Sequence, residues 1–154
     1  MRTFSIASGR GLILVFCTAI AMASEKRLTY KDLPPDVQKT AQRESQGATV
    51  RGYSKDVDNG KIEYEVEMIV GGKSRDVSID PSGKVLEVEQ QVALEAVPAA
   101  AMAAIRKEVG GGSIRKIEEV RSEAETAYEA QILSNGKHRE IRVLADGSTA
   151  PEQD

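Results

Sequence analysis

The feature that most constrains the fold of this chain is an internal repeat, because the sequence resembles itself at an offset of 64 positions without a gap. The offset aligns Tyr64-Glu65 with Tyr128-Glu129 and Gly72-Lys73 with Gly136-Lys137. Five single residues also recur, namely Pro34 as Pro98, Glu44 as Glu108, Arg51 as Arg115, Arg75 as Arg139, and Gly83 as Gly147. Apolar residues match between these positions. The pattern predicts two tandem units produced by duplication.

A helix is predicted at the start of each unit. In the first unit Pro34-Pro35 suits a first helical turn, and Gln46-Gly47 ends the helix. In the second unit Val97-Pro98 starts the helix and residues 110–112, three glycines, stop it. The second helix has an apolar stripe made of Ala101, Met102, Ile105 and Val109. Each helix is therefore expected to bury one face.

After each helix the apolar period changes to two, which predicts strands. In the first unit we expect strands over residues 49–56, 61–70 and 84–88, with a two-residue hairpin loop at Gly71-Gly72 that corresponds to Asn135-Gly136 in the second unit. These loops set the register of each hairpin. The predicted pairs are Val66 with Val77, Tyr64 with Ile79, Met68 with Arg75, Ala130 with Ile141, Tyr128 with Val143, and Ile132 with Arg139.

The predicted fold class is α+β, with two tandem units that each pack a helix on an antiparallel sheet of three or four strands. We place the first unit at residues 24–90 and the second at residues 91–154. The linker, residues 89–95, has no Pro, Gly or Ser, which favours a stiff junction.

Residues 1–23 have the pattern of a signal peptide. Arg2 and Arg10 are followed by an apolar run over residues 11–21, and Ala21-Met22-Ala23 predicts cleavage before Ser24. The run is too short for a membrane anchor, which needs about 20 apolar residues. Cys17 follows Phe16 rather than a small residue, which argues against lipidation. We expect a periplasmic or secreted protein with no membrane span after cleavage.

Composition excludes several classes of site from the exported chain. Removal of residues 1–23 leaves 19 basic and 24 acidic residues, a net charge of −5, and no cysteine. Thiol catalysis and disulfides are therefore excluded, and the single histidine, His138, rules out a multi-histidine metal cage. The acidic balance and the lack of tryptophan argue against nucleic-acid binding.

The turn Asp80-Pro81-Ser82-Gly83-Lys84-Val85-Leu86, after a helix, a strand and a hairpin, resembles the PepSY and PepSY-like group of exported bacterial domains. The second unit has residues 144–149 at this place and lacks both the proline and the lysine. The resemblance implies an α+β domain that binds or restrains other proteins and has no catalytic residues. Some relatives are described as similar to a two-repeat β-lactamase inhibitor protein, whose sheet grips an enzyme.

The candidate binding residues are acidic and lie on one strand face. Glu63, Glu65 and Glu67 alternate with apolar residues, and Asp76 is expected opposite Glu67. Such a row suits a cationic patch on a partner, while the alternative is a solvated face of an antiparallel sheet. The matching positions in the second unit are Ala127, Glu129 and Gln131, which are less acidic. Glutamates on a wet strand face lack the pocket that acid and base catalysis requires.

Two arginines and one acidic loop are further candidates. Arg75 and Arg139 share the apolar side of the sheet, where they either cover the core with their aliphatic stems or clamp a ligand carboxylate. In residues 56–60 the glycine comes fifth, whereas a calcium loop needs it sixth, so an ordinary loop is expected. No metal, cofactor or catalytic residue is predicted.

The sequence therefore predicts a non-enzymatic binding or inhibitory module of the cell envelope, which restrains a peptidase or another envelope enzyme. Its expected partner is a protein with a basic patch, bound by electrostatic attraction. A periplasmic sensor that binds a small ligand in a groove between the units is the first alternative. A structural envelope component is the second.

Overall fold

A computed structural model of the chain describes residues 26–58 and 60–150, which form one antiparallel sheet of eight strands and two α-helices. The predicted signal peptide, its cleavage site before Ser24, and Cys17 lie outside the described residues. The strand order follows the chain, and the strands are β1 (Lys26–Leu28), β2 (Thr49–Asp58), β3 (Lys61–Val70), β4 (Lys73–Ile79), β5 (Val85–Gln91), β6 (Ser113–Ser122), β7 (Thr126–Ser134) and β8 (Lys137–Leu144). Within these residues no helix has both the length and the apolar character needed to cross a bilayer.

The two helices begin and end where the sequence predicts. Helix α1 (Pro35–Glu44) follows Pro34, and α2 (Ala99–Val109) follows Pro98, so both begin after a proline whose backbone is extended. Helix α2 ends at Val109 and is followed by Gly110, where φ is +57°. Both helices are preceded by a short 3-10 turn, at Tyr30–Asp32 and Leu94–Ala96.

Both helices cover the same face of the sheet. One core joins α1 to the apolar face of β3 and β4, and its members include Val37, Val66 and Ile79. The other joins α2 to β6, β7 and β8, and includes Ile105 and Ile132. Residues that pair across neighbouring strands point to the same side, which places the two cores on one face. The α+β class is thus confirmed.

The predicted registers of both hairpins are confirmed. Val66 pairs with Val77 in β3 and β4, and Ala130 pairs with Ile141 in β7 and β8. The other four predicted pairs are also present, and Asp76 lies opposite Glu67. A two-residue loop permits few registers, and the observed one places apolar pairs such as Val66 with Val77 on the helix-covered side.

The expectation that each unit has its own sheet was wrong. Strand β5 does not end at residue 88 but continues to Gln91, and it pairs with β6 from Glu87↔Ser122 to Gln91↔Glu118. The linker has no proline or glycine to stop this strand, so its backbone groups join the ladder instead of turning away. The division at residue 90 into two tandem units stays a prediction.

Candidate binding face of the sheet

The face of the sheet that carries no helix is the candidate functional site, and we call it the open face. By the observed registers it holds Glu63, Glu65 and Glu67 of β3 together with Asp76 of β4. Glu87 and Glu89 of β5 continue the acidic surface toward the second half. Glu118 of β6, Glu129 of β7 and Arg142 of β8 complete it. The acidic surface therefore crosses the junction between the two halves.

The acidic row on β3 is only half-exposed. Glu63, Glu65 and Glu67 are all of intermediate burial, although no helix covers them. The carboxylate of Glu67 accepts a hydrogen bond from the guanidinium of Arg27 at 2.5 Å, and Ser54 donates to Glu65 at 3.5 Å. The row is therefore partly shielded by polar side chains of the neighbouring strands, and the choice between a binding row and a solvated face stays a prediction.

Three carboxylates meet at the centre of the open face. Potential ligand oxygens of Asp76, Glu89 and Glu118 all lie within 4.8 Å of one another. Glu118 is 1% exposed, and its carboxylate contacts Lys116 Nζ at 2.7 Å and accepts a hydrogen bond from Ser74 Oγ at 3.0 Å. Glu129 pairs with Glu118 on the neighbouring strand. We call Asp76, Glu89, Glu118 and Glu129 the carboxyl cluster.

Crowding and burial change the acidity of this cluster. Burial raises the pKa of Glu89 to about 8, and the nearby carboxylates of Glu129, Glu118 and Glu87 act in the same direction. Burial also raises the pKa of Glu129 to about 7, with repulsion from Glu140 added and attraction to Arg142 opposing. The pKa of Asp76 is raised mainly by burial and then by Glu118. Glu89 and Glu129 thus hold protons at a pH where surface glutamates are fully ionised.

One long-range ion pair and two buried side chains show that the open face is concave. Arg142 of β8 donates to Glu87 of β5 at 2.6 Å, although two strands lie between them. In a flat sheet these strands would be about 14 Å apart with parallel side chains, so the contact requires the sheet to curl toward this face. Val120 and Ala127 also lie on this side, belong to neither helix-covered core, and are fully buried.

A cleft opens next to the carboxyl cluster at one end of the open face. Its volume is about 390 Å³, and it lies over β1 to β4. Its polar lining consists of Arg27, Arg51, Glu65, Glu67, Ser74 and Asp76. The cleft therefore joins part of the predicted acidic row to the cluster.

The structure separates the two candidate arginines from the candidate acids. Arg75 and Arg139 lie on the helix-covered side, where Arg75 donates to the carboxylate of Glu44 at 3.0 Å. Arg139 donates to the backbone carbonyl of Glu108, near the end of α2. Each arginine thus ties the last turn of a helix to the sheet, and the carboxylate that Arg75 clamps is supplied by the chain itself.

Sequence reasoning missed the central position of Glu89 and Glu118. Glu89 was assigned to the linker, and the acidity was expected to fade in the second half. The available signal was the continued alternation of Glu87 and Glu89 with Val88, which marks one strand rather than the end of one. The predicted loop at residues 56–60 is instead strand through Asp58, with Asp56 paired to Glu63.

Three members of the carboxyl cluster, Asp76, Glu89 and Glu118, are close enough together to offer donors to one cation. Carboxylate oxygens are the donors that hard divalent cations prefer. Lys116 already places an ammonium group against Glu118, so the chain itself supplies part of the counter-charge. Cationic groups are therefore the chemistry that this face is suited to receive.

Comparison with known proteins identifies the fold. No protein-family model matches the chain, and no curated protein matches it. Solved structures do match, among them a protein from Bacteroides eggerthii described as periplasmic, with a TM-score of 0.62 and 19% identity over 79% of this chain and 88% of that one. A BLIP-like protein from Bacteroides fragilis gives a TM-score of 0.56 and 15% identity over 79% and 86%. A DUF2874 family protein from Bacteroides uniformis gives 0.60 and 17% over 77% and 86%.

Proposed function

We propose that this protein is a non-enzymatic binding module of the bacterial cell envelope whose open face binds a partner protein through a basic surface patch. The observation that carries the proposal is the concave, helix-free face with carboxylates crowded at its centre. A sheet face that curls around a partner offers a large contact area. Its charge attracts cationic side chains and speeds their encounter.

The cellular location and the class of partner rest on the sequence pattern and on the similar structures. Residues 1–23 have the pattern of an export signal, and the similar structure from Bacteroides eggerthii is described as periplasmic. The turn at residues 80–86 resembles the PepSY group, and one similar structure is BLIP-like. We extend the proposal to restraint of an envelope enzyme, such as a peptidase.

The binding proposal is favoured over a small-ligand sensor by the shape of the surface. A sensor of the kind expected from the sequence needs a groove between the two halves. The cleft described above lies over β1 to β4, within the first half, while the charge extends across β3 to β7. A broad charged surface suits a protein partner better than a small molecule.

Replacing Glu63, Glu65 and Glu67 together with glutamine is expected to weaken partner binding at least about tenfold, because three attractive charges are lost. The melting temperature should stay unchanged or rise, since Glu67 is repelled by Asp76 and its ion pair with Arg27, whose side chain is 63% exposed, contributes little. Binding would be measured by capture from periplasmic extract at low and high salt, followed by titration of the purified partner.

The matched control changes the same number of charges elsewhere. Asp36→Asn, Glu95→Gln and Glu123→Gln remove three exposed acids and should leave binding unchanged. Equal loss in both triple variants would mean that net charge, and not the open face, attracts the partner. An affinity that changes neither with salt nor with the Glu63, Glu65 and Glu67 substitutions would contradict the proposal.

A further inference from the structure

We propose that the carboxyl cluster is a pH switch that sets the charge of the open face, because its carboxyl groups lie against one another on neighbouring strands of a concave surface. The consequence for a partner rests on the proposed function. The protonation of the cluster and its effect on folding concern this chain alone.

The geometry places like charges directly beside one another on successive strands. Asp76 pairs with Glu67 on one side and with Glu89 on the other, so three carboxyl groups follow each other across β3, β4 and β5. Glu118 and Glu129 form a second like-charge pair on β6 and β7. Adjacent carboxylates on one sheet face repel each other unless a proton or a cation lies between them.

Burial makes this repulsion harder to screen. Glu118 is 1% exposed, and Glu89 and Glu129 are partly buried within the concave face. The groups that face the cluster from the packed strands are, from β1 to β8, Arg27, Glu65, Glu67, Glu87, Lys116, Glu140 and Arg142. Lys116 pairs with Glu118 and Arg142 with Glu87, which leaves Glu89 and Glu129 next to additional acids rather than a dedicated cation.

The protonation of Glu89 and Glu129 makes the stability of the folded protein depend on pH. The pKa of Glu89 is about 8 and that of Glu129 about 7 in the folded protein, both above the ordinary glutamate value, so the folded chain binds more protons than the unfolded chain. Their contribution to stability is fully present below the ordinary pKa and is lost as pH rises through 7 and 8. Unfolding at pH 7 should release about one to two protons.

Other carboxyl groups make the folded protein less stable as pH falls, but only at lower pH. The pKa values of Asp80 and Asp146 are lowered, first of all by hydrogen bonds from Ser82 and Ser148, so these turns lose stability on acidification. That loss lies below the ordinary aspartate pKa and outside the window in which the cluster titrates. The contribution of the cluster therefore falls between about pH 5.5 and 8.5, apart from that of these turns.

Carbon-detected NMR titration of the full chain tests the switch directly, because each carboxyl carbon reports its own protonation. We expect two glutamate carbons to titrate between pH 6.5 and 8.5, and Glu89→Gln and Glu129→Gln to identify them. Titration of all glutamates near their ordinary value would overturn the proposal and would leave the proposed binding function standing.

Urea unfolding at pH 5.5 and 8.5, at constant ionic strength, provides the second readout. The wild type should be less stable at pH 8.5, and Glu89→Gln, which mimics the protonated carboxyl, should reduce that difference. Glu95→Gln, an exposed acid outside the open face, should keep the difference unchanged. An identical difference in wild type and Glu89→Gln would contradict the switch.

A short lysine peptide serves as the probe for the effect on binding, since its ammonium groups do not titrate in this range. Its affinity for the wild type should rise about three- to tenfold from pH 5.5 to 8.5, and the rise should shrink in a variant that combines Glu89→Gln with Glu129→Gln. If the affinity of the wild type for the peptide did not change with pH, the switch would not control binding. Absence of peptide binding at every pH would count against the proposed function. The NMR and unfolding results would then still show whether the carboxyl cluster titrates as proposed.

Discussion

Replacing Ile79 or Ile105 with alanine is expected to lower the free energy of unfolding by about 2–5 kcal/mol, because either change leaves a cavity in a well-packed core. Both side chains are 0% exposed, and each belongs to a different one of the two helix-covered cores. The measurement is urea denaturation followed by circular dichroism. Val57→Ala is the control, since Val57 is 51% exposed and its truncation should change stability by less than about 0.5 kcal/mol.

The shape of these unfolding curves matters as much as their midpoints. The pairing of β5 with β6 joins the two cores in one ladder, so each variant should unfold in a single transition that both cores share. Two separate transitions, with Ile79→Ala shifting one and Ile105→Ala the other, would instead show that residues 24–90 and 91–154 fold as independent domains.

The hairpins could be predicted from the sequence because their determinants are local. Gly71-Gly72 and Asn135-Gly136 each permit few registers, and the alternation of apolar residues on the flanking strands selects one of them. The helix boundaries are equally local, since Pro34 and Pro98 mark the starts and Gly110 marks one end.

The single sheet and the carboxyl cluster could not be predicted because both depend on contacts between distant residues. No local pattern specifies that Gln91 pairs with Glu118, and β1 is a three-residue strand with too little pattern to detect. The meeting of Asp76, Glu89 and Glu118 further depends on the pairing of β5 with β6, which joins residues of the two halves. The acidic row on β3 was therefore found as a candidate, while the part of the face with the most unusual chemistry was not.

The close approach of each helix to the turn after a hairpin leads to the second prediction with a large effect. Gly83 and Gly147 have φ values of +86° and +85°, and an added Cβ would lie 2.8 Å from the carbonyl oxygen of Asp36 and 2.7 Å from that of Ala100, respectively. Alanine at either site should cost about 2–4 kcal/mol, because backbone strain in the left-handed region adds to a clash with a helix that cannot move freely. Chemical denaturation of the two single variants provides the measurement.

Gly71→Ala and Gly136→Ala separate the two contributions to that cost. Both glycines have positive φ, +58° and +74°, but nothing lies within 4 Å of an added Cβ, so these variants should show the strain alone, about 1–2 kcal/mol. Gly83 and Gly147 are related by the same 64-residue offset as Asp36 and Ala100, so a duplicated unit predicts similar excess costs at the two sites. If Gly147→Ala cost no more than Gly136→Ala while Gly83→Ala remained severe, the second helix would approach its turn less closely than the first, and the two halves would not share one packing scheme.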